Sequence, residues 1–122
     1  MAEPSSLSNT PDNPPHNTFG ILLTTAGSRE EAAKIAILLL ENHWAACVNY
    51  FAVESVYRWQ GQIQQETEWQ LMIKTDLALQ ETIATQLKAI HSYELPEFIV
   101  IPLQGGSAAY LEWLGQQVSV NR

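Results

Sequence analysis

A single cysteine, Cys47, stands in the 122 residues, so no disulfide can close within the chain. One unpaired thiol fits a reducing compartment, and the cytoplasm is the expected location. Basic residues are nearly as scarce: Arg29, Lys34, Arg58, Lys74, Lys88 and Arg122 face 13 acidic residues, for a net charge of −7. They form no cluster, and nucleic-acid binding draws its affinity from clustered cations on phosphates, so no nucleic-acid partner is expected. No apolar run approaches the ~20 residues that cross a bilayer, so no membrane partner is expected either. The longest run, Ala32 to Leu40, is interrupted by Lys34 and reads as an internal helix. Motifs of the G-x-G-x-x-G, Walker, H-E-x-x-H and C-x-x-C types are absent, and Gly105-Gly106 has no lysine beside it to make a phosphate loop.

The first 17 residues differ in kind from the rest. They hold four of the six prolines, six serines and asparagines, and Leu7 as the one large apolar residue after Met1. Such a stretch buries too little surface to offset its ordering entropy, so residues 1–17 read as a disordered tail. It has neither the basic start nor the apolar centre of a secretory signal. Residues 18–122 read as a single domain.

Between Val53 and Thr75 the sequence alternates with period two around Gln60-Gly61. Val53, Ser55, Tyr57 and Trp59 fall on one strand face. Ile63, Thr67, Trp69, Leu71 and Ile73 share a face of the next strand, with Gln64, Glu66, Glu68, Gln70 and Lys74 pointing away. This is the pattern of a β-hairpin. Its second arm is about twice the usual strand length and overhangs any core a chain this size can build, so another chain is expected to cover it.

The remaining elements follow from periodicity and caps. Phe19 to Thr25 reads as a buried strand. Ser28 with Glu31 forms a capping box for a helix reaching about His43. Asp76 caps a second helix in which Leu79, Ile83, Leu87 and Ile90 recur at helical spacing. Glu97 to Ile101 is a fourth strand closed by Pro102, and Ser107 caps a last helix. The order is β-α-β-β-α-β plus a terminal helix, an α+β fold of the ferredoxin-like kind. Both main helices on one sheet face leave the other face for a partner.

Ala45-Ala46-Cys47-Val48-Asn49, Ser55-x-Tyr57-x-Trp59-x-Gly61, Lys74-Thr75 and His91-x-Tyr93-Glu94-x-Pro96-Glu97 together resemble the CutA family, small proteins named for divalent-cation tolerance. The resemblance covers about Phe19 to Gln117. It implies ferredoxin-like subunits in a homotrimer, hairpin arms extending a neighbour's sheet, and clefts between subunits. It also implies a role in binding rather than turnover.

Two readings stand for the candidate site residues. His91, with Glu94, is a plausible copper or zinc ligand set, since imidazole suits both metals. His91 also fits as a helix C-terminal cap. Cys47 is a thiolate ligand or a small buried apolar group. Tyr57, Trp59, Lys74, Tyr93 and Glu97 line a cleft, or are core and subunit contacts, with Lys74 meeting Glu97 or an anionic ligand. Copper or another divalent cation is the expected cofactor, and none is required for folding. Glu66 and Glu68 read as an exposed charged strand face, without a case for catalysis.

The chain also departs from the family. Thr24 and Thr25 stand where some members have a second cysteine, and Ile90 precludes a His-His pair. Ser92 replaces a proline. Tyr50 to Glu54 replace a Pro-Gly connection, which points to a tight bend or a bulge in the second strand. A rigid trimeric scaffold with incidental metal binding is the alternative function.

Overall fold

The computed structural model describes residues 18–120; the proposed tail, residues 1–17, lies outside them. Strand β1 (Phe19–Ala26) leads into helix α1 (Arg29–Glu41), then β2 (Cys47–Trp59) and β3 (Gln62–Asp76). A short 3-10 turn (Leu77–Leu79) enters helix α2 (Gln80–Ile90), followed by β4 (Ile99–Pro102) and helix α3 (Ala108–Gln117). The four strands form one antiparallel sheet in the order β2-β3-β1-β4. This is the expected ferredoxin-like α+β architecture.

One sheet face packs on α1 and α2. Leu22 and Ala26 of β1 and Leu71 and Ile73 of β3 meet Ile35 and Leu39 of α1 and Ile83 and Leu87 of α2 in the core. Each fully buried Leu or Ile there contributes about 1.5–3 kcal/mol. The caps behave as their residue types require. The Ser28 hydroxyl accepts from the Glu31 N–H at 3.0 Å, and Asp76 Oδ1 accepts from the Ala78 N–H at 2.8 Å. The capping box is only half formed, because the Glu31 carboxylate turns away from Ser28 to the Gly27 N–H and to Ser92.

Three expectations are corrected. The β2–β3 ladder keeps a one-to-one register from Cys47↔Lys74 to Trp59↔Gln62, so β2 contains no bulge. Strand β4 begins at Ile99, two residues later than Glu97. The far sheet face is partly covered by the chain itself. Lys74 Nζ, pointing away from the core, lies 5.9 Å from the Tyr110 ring centre on α3, and Phe19 packs on the same helix at Gly115. Beyond α3 that face still exposes Phe51, Ile99 and Ile101, each by more than 40%.

Strand β3 pairs with β1 only as far as Ala26↔Trp69, while its ladder with β2 continues to the turn. Residues 62–68 therefore form a two-stranded arm with an unpaired β3 edge. Gln60 (φ 52°) and Gly61 (φ 81°) both adopt left-handed backbone, the combination a two-residue I′ turn requires.

Candidate functional site

Helix α2 ends at His91, whose backbone N–H still bonds the Leu87 carbonyl at 2.9 Å. The chain from Ser92 to Phe98 then folds round the end of β1 and returns as β4. Three anchors hold this segment.

The first anchor is the His91 ring, whose side chain is fully buried. Nε2 lies 2.6 Å from the Thr25 carbonyl, which can only accept, so Nε2 carries the proton. Nδ1 accepts from the Tyr93 N–H at 3.0 Å. Both ring nitrogens are thus engaged, and the ring holds the helix end to β1.

The second anchor is Glu31 of α1. Its carboxylate accepts from the Ser92 N–H and hydroxyl, both at 2.9 Å, and from the Gly27 N–H at 3.2 Å, with His91 Nδ1 at 3.7 Å. Burial pushes this carboxyl up, but the bonds from Ser92 and Gly27 outweigh it and hold the group below the usual carboxylate range.

The third anchor comes from β3. The Tyr93 hydroxyl donates to Glu68 Oε1 at 2.9 Å, and Gln70 Nε2 donates to both Glu97 Oε2 and the Thr24 carbonyl at 2.9 Å. Burial, the bond to Glu68 and the neighbouring carboxylates Glu66 and Glu31 raise the Tyr93 phenol well above its ordinary value, so it remains a donor. Glu68, which the alternation places on an exposed charged face, is only 7% exposed because the tyrosine closes over it.

Between this segment and the β2–β3 arm lies an open cleft of about 940 Å³. Tyr57 and Trp59 form one wall with Glu66, and Tyr93, Glu94 and Glu97 the other, with Glu68 at the base; Glu54 borders the cleft from the other face of the arm, where its carboxylate accepts from Thr67 Oγ1 at 2.9 Å. Among the described residues that line it there are five glutamates and no lysine, arginine or histidine. The Tyr57 hydroxyl donates to the Glu66 carboxylate, which raises its phenol, with burial and the charges of Glu66 and Glu68 adding to the rise.

Five of the residues singled out from the sequence therefore meet round one cleft: Tyr57, Trp59, Tyr93, Glu94 and Glu97. Three do not line it. His91 sits behind the wall. Cys47 and Lys74 face each other across the β2–β3 ladder at the opposite end of the sheet. That is six residues along β3 from Glu68, on the order of 20 Å. Within the chain the partner of Glu97 is Gln70, and Lys74 lies over Tyr110. Among the described residues no three His, Cys, Asp or Glu side chains converge as a metal cluster. The sequence reading missed Glu31, Glu68 and Gln70 as site residues. Glu31 reads as part of the helix cap and the other two as solvated strand residues, and periodicity carries no signal for a distant loop folding over them.

The family model of the CutA1 divalent ion tolerance protein matches residues 20–117. The chain is 41% identical over 95 residues to the chloroplastic protein CutA of Arabidopsis thaliana, a match covering 77% of this chain and 52% of that one. It therefore spans about half the length of that relative. To the divalent-cation tolerance protein CutA of Pectobacterium atrosepticum it is 40% identical over 95 residues, covering 77% of this chain and 86% of the relative. Among solved structures, the periplasmic divalent cation tolerance protein CutA from Archaeoglobus fulgidus superposes with a TM-score of 0.81 at 37% identity, over 83% of this chain and 99% of that one. CutA1 from Oryza sativa superposes with a TM-score of 0.81 at 35% identity, over 84% and 95% respectively.

Proposed function

The chain belongs to the CutA1 divalent ion tolerance family, and on that premise we propose that it is a cation-binding protein of a homotrimer. It answers divalent cations, copper foremost, or a small effector by binding them in the cleft between the arm and residues 93–97. The family is named for tolerance and not for a reaction, and we assign no turnover to the cleft.

The observation that carries this reading is the sign of the cleft. Five glutamates line it without a lysine, arginine or histidine among the described lining residues, which concentrates negative potential between two apolar-edged walls. Glu94, exposed on the wall, and Glu66, exposed on the arm, are the carboxylates best placed to meet an incoming cation. His91 joins them as a ligand only if its ring gives up Thr25 or Tyr93. The trimer is supported by the unpaired β3 edge at residues 62–68 and by the exposed Phe51, Ile99 and Ile101. Both features favour a second copy beside the cleft, with Cys47 and Lys74 at the far end of the sheet. We place the protein in the cytoplasm, consistent with its single thiol.

A calorimetric titration of Cu(II), then Zn(II), tests the reading in the full chain, in Glu66→Gln with Glu94→Gln, and in His91→Ala. Saturable binding near one ion per subunit, lost in the glutamine double variant while the assembly mass stays unchanged, is the expected result. Equal weak binding to all three proteins would leave the alternative, a rigid trimeric scaffold with incidental metal binding. The same exposed apolar face favours that alternative.

A further inference from the structure

We propose that the tip of the β2–β3 arm seats in the groove between α2 and the loop before β4 of a second copy, with Val56 and Ile63 as its apolar contacts and Arg58 meeting Glu94. The inference rests on the reading of the protein as a homotrimer and names one contact that joins its subunits.

The arm has two unlike faces. Val56 stands opposite Gln65 and Arg58 opposite Ile63 in the β2–β3 ladder. Strand parity places these four on the face that continues the helix side of the sheet, away from Tyr57 and Trp59. Val56 and Ile63 are 65% and 66% exposed, although their neighbours along the same face of the sheet, Leu71 and Ile73, are fully buried. Two branched apolar side chains at the end of a two-stranded arm are a patch that a partner surface covers.

The groove supplies such a surface. It encloses about 310 Å³ between Leu87 of α2 and Leu95, Pro96 and Phe98 of the loop. Leu95 is 71% exposed at its rim.

Charge fixes the pairing. Arg58 and Glu94 are both exposed, and among the described residues neither makes an ion pair within its own subunit. The other charges at the groove are Glu97, which accepts from Gln70, and Lys88 on α2. An arginine carried between two apolar side chains therefore meets a carboxylate without a partner beside an apolar groove. Glu94 also borders the cation cleft, so a bound cation and Arg58 compete for one carboxylate.

Position agrees with both. Strand β4 follows the loop directly and is an edge of the sheet. Its Ile99 and Ile101 are exposed on the face away from the helices. When these apolar faces of neighbouring copies turn toward each other, an arm lying along β4 keeps Val56 and Ile63 on the side of the neighbour's helices. The groove beside α2 lies on that side.

Disulfide trapping tests the contact. Ile63→Cys and Leu95→Cys are introduced together into the full chain with Cys47→Ala, and the assembly is oxidised with diamide after its mass has been measured by sedimentation. A disulfide needs Cα atoms within about 7 Å, so only a seated tip forms one. Ile63 and Leu95 are exposed within the subunit, so neither change threatens its folding. Denaturing gels should show two and three linked subunits. Pairing Ile63→Cys with Ile37→Cys, on the outer face of α1, should show neither. Arg58→Glu should slow the linking about two- to fivefold, the range of one exposed ion pair, and Glu94→Arg in the same chain should restore it. A trimer that yields no linked subunits, or links equally through Ile37→Cys, overturns the proposal and leaves the homotrimer standing. A monomer on sedimentation removes both.

Discussion

The hydroxyl of Tyr93 and the carboxylate of Glu68 meet at 2.9 Å, joining the loop after α2 to the outward face of a strand 25 residues earlier in the chain. Without that contact Glu68 would be one more solvated strand glutamate. With it, the carboxylate is nearly buried, the loop is fixed against the arm, and the cleft acquires its second wall. Tyr93→Phe removes the donor and leaves a buried charge short of one bond, which costs about 1.5–3 kcal/mol. A lowered thermal midpoint at fixed protein concentration is the expected outcome. Glu68→Gln, which keeps an acceptor oxygen, should lose less. Equal losses in the two variants would show that the contact is not the source.

Glu31 gives the fold a definite acid limb. Its carboxyl is held below the ordinary value of 4.5, so the folded state favours the ionised form more than the unfolded chain does. The contribution is fully present above the unfolded value and is lost as pH falls through the lower folded one. Stability should therefore decline below about pH 4.5, and Glu31→Gln should flatten that part of the profile while lowering stability at neutral pH. Denaturation midpoints between pH 3 and 7 provide the check.

Thr24 offers a change in the opposite direction. Its Oγ1 is buried and meets no hydrogen-bond partner among the described residues. A buried hydroxyl without a partner costs about 1–3 kcal/mol. Replacing it with a methyl group of similar shape should raise the midpoint, so Thr24→Val is expected to stabilise by about 1 kcal/mol. A destabilised variant would mean that the hydroxyl has a partner after all.

Ile99 and Ile101 lie on the sheet face away from α1 and α2, 48% and 41% exposed. A charge introduced there meets water in an isolated subunit but an apolar surface in an assembly. Sedimentation equilibrium should give three times the 13.7 kDa subunit mass for the natural chain and a smaller mass for Ile101→Asp. An unchanged mass for the variant would remove this face from the interface.

Most of the architecture was legible because it depends on local signals. Ser28, Asp76 and Ser107 act as caps wherever they precede helical periodicity, and Gln60-Gly61 closes a hairpin between alternating runs. The cleft was legible only in part. Tyr57, Trp59, Tyr93, Glu94 and Glu97 were marked by the motifs they sit in. Glu31, Glu68 and Gln70 hold those residues in place through contacts spanning 25 to 61 positions, which no local pattern encodes. Ring orientation was equally out of reach. His91 reads as a metal ligand or a cap until the Thr25 carbonyl and the Tyr93 N–H are seen on its two nitrogens. Lys74 and Cys47 belong to motif segments, but the one-to-one register of β2 and β3 carries both to the far end of the sheet.

The most direct test of the central claim is paramagnetic broadening of backbone amide signals by substoichiometric Cu(II), recorded on the assembled protein. Selective loss of signals from Glu66, Glu68 and residues 93–97, with those round Cys47 and Lys74 intact, is the predicted result. Uniform weak broadening over the acidic surface, or loss centred on Cys47, would contradict the assignment of the cleft as the cation site.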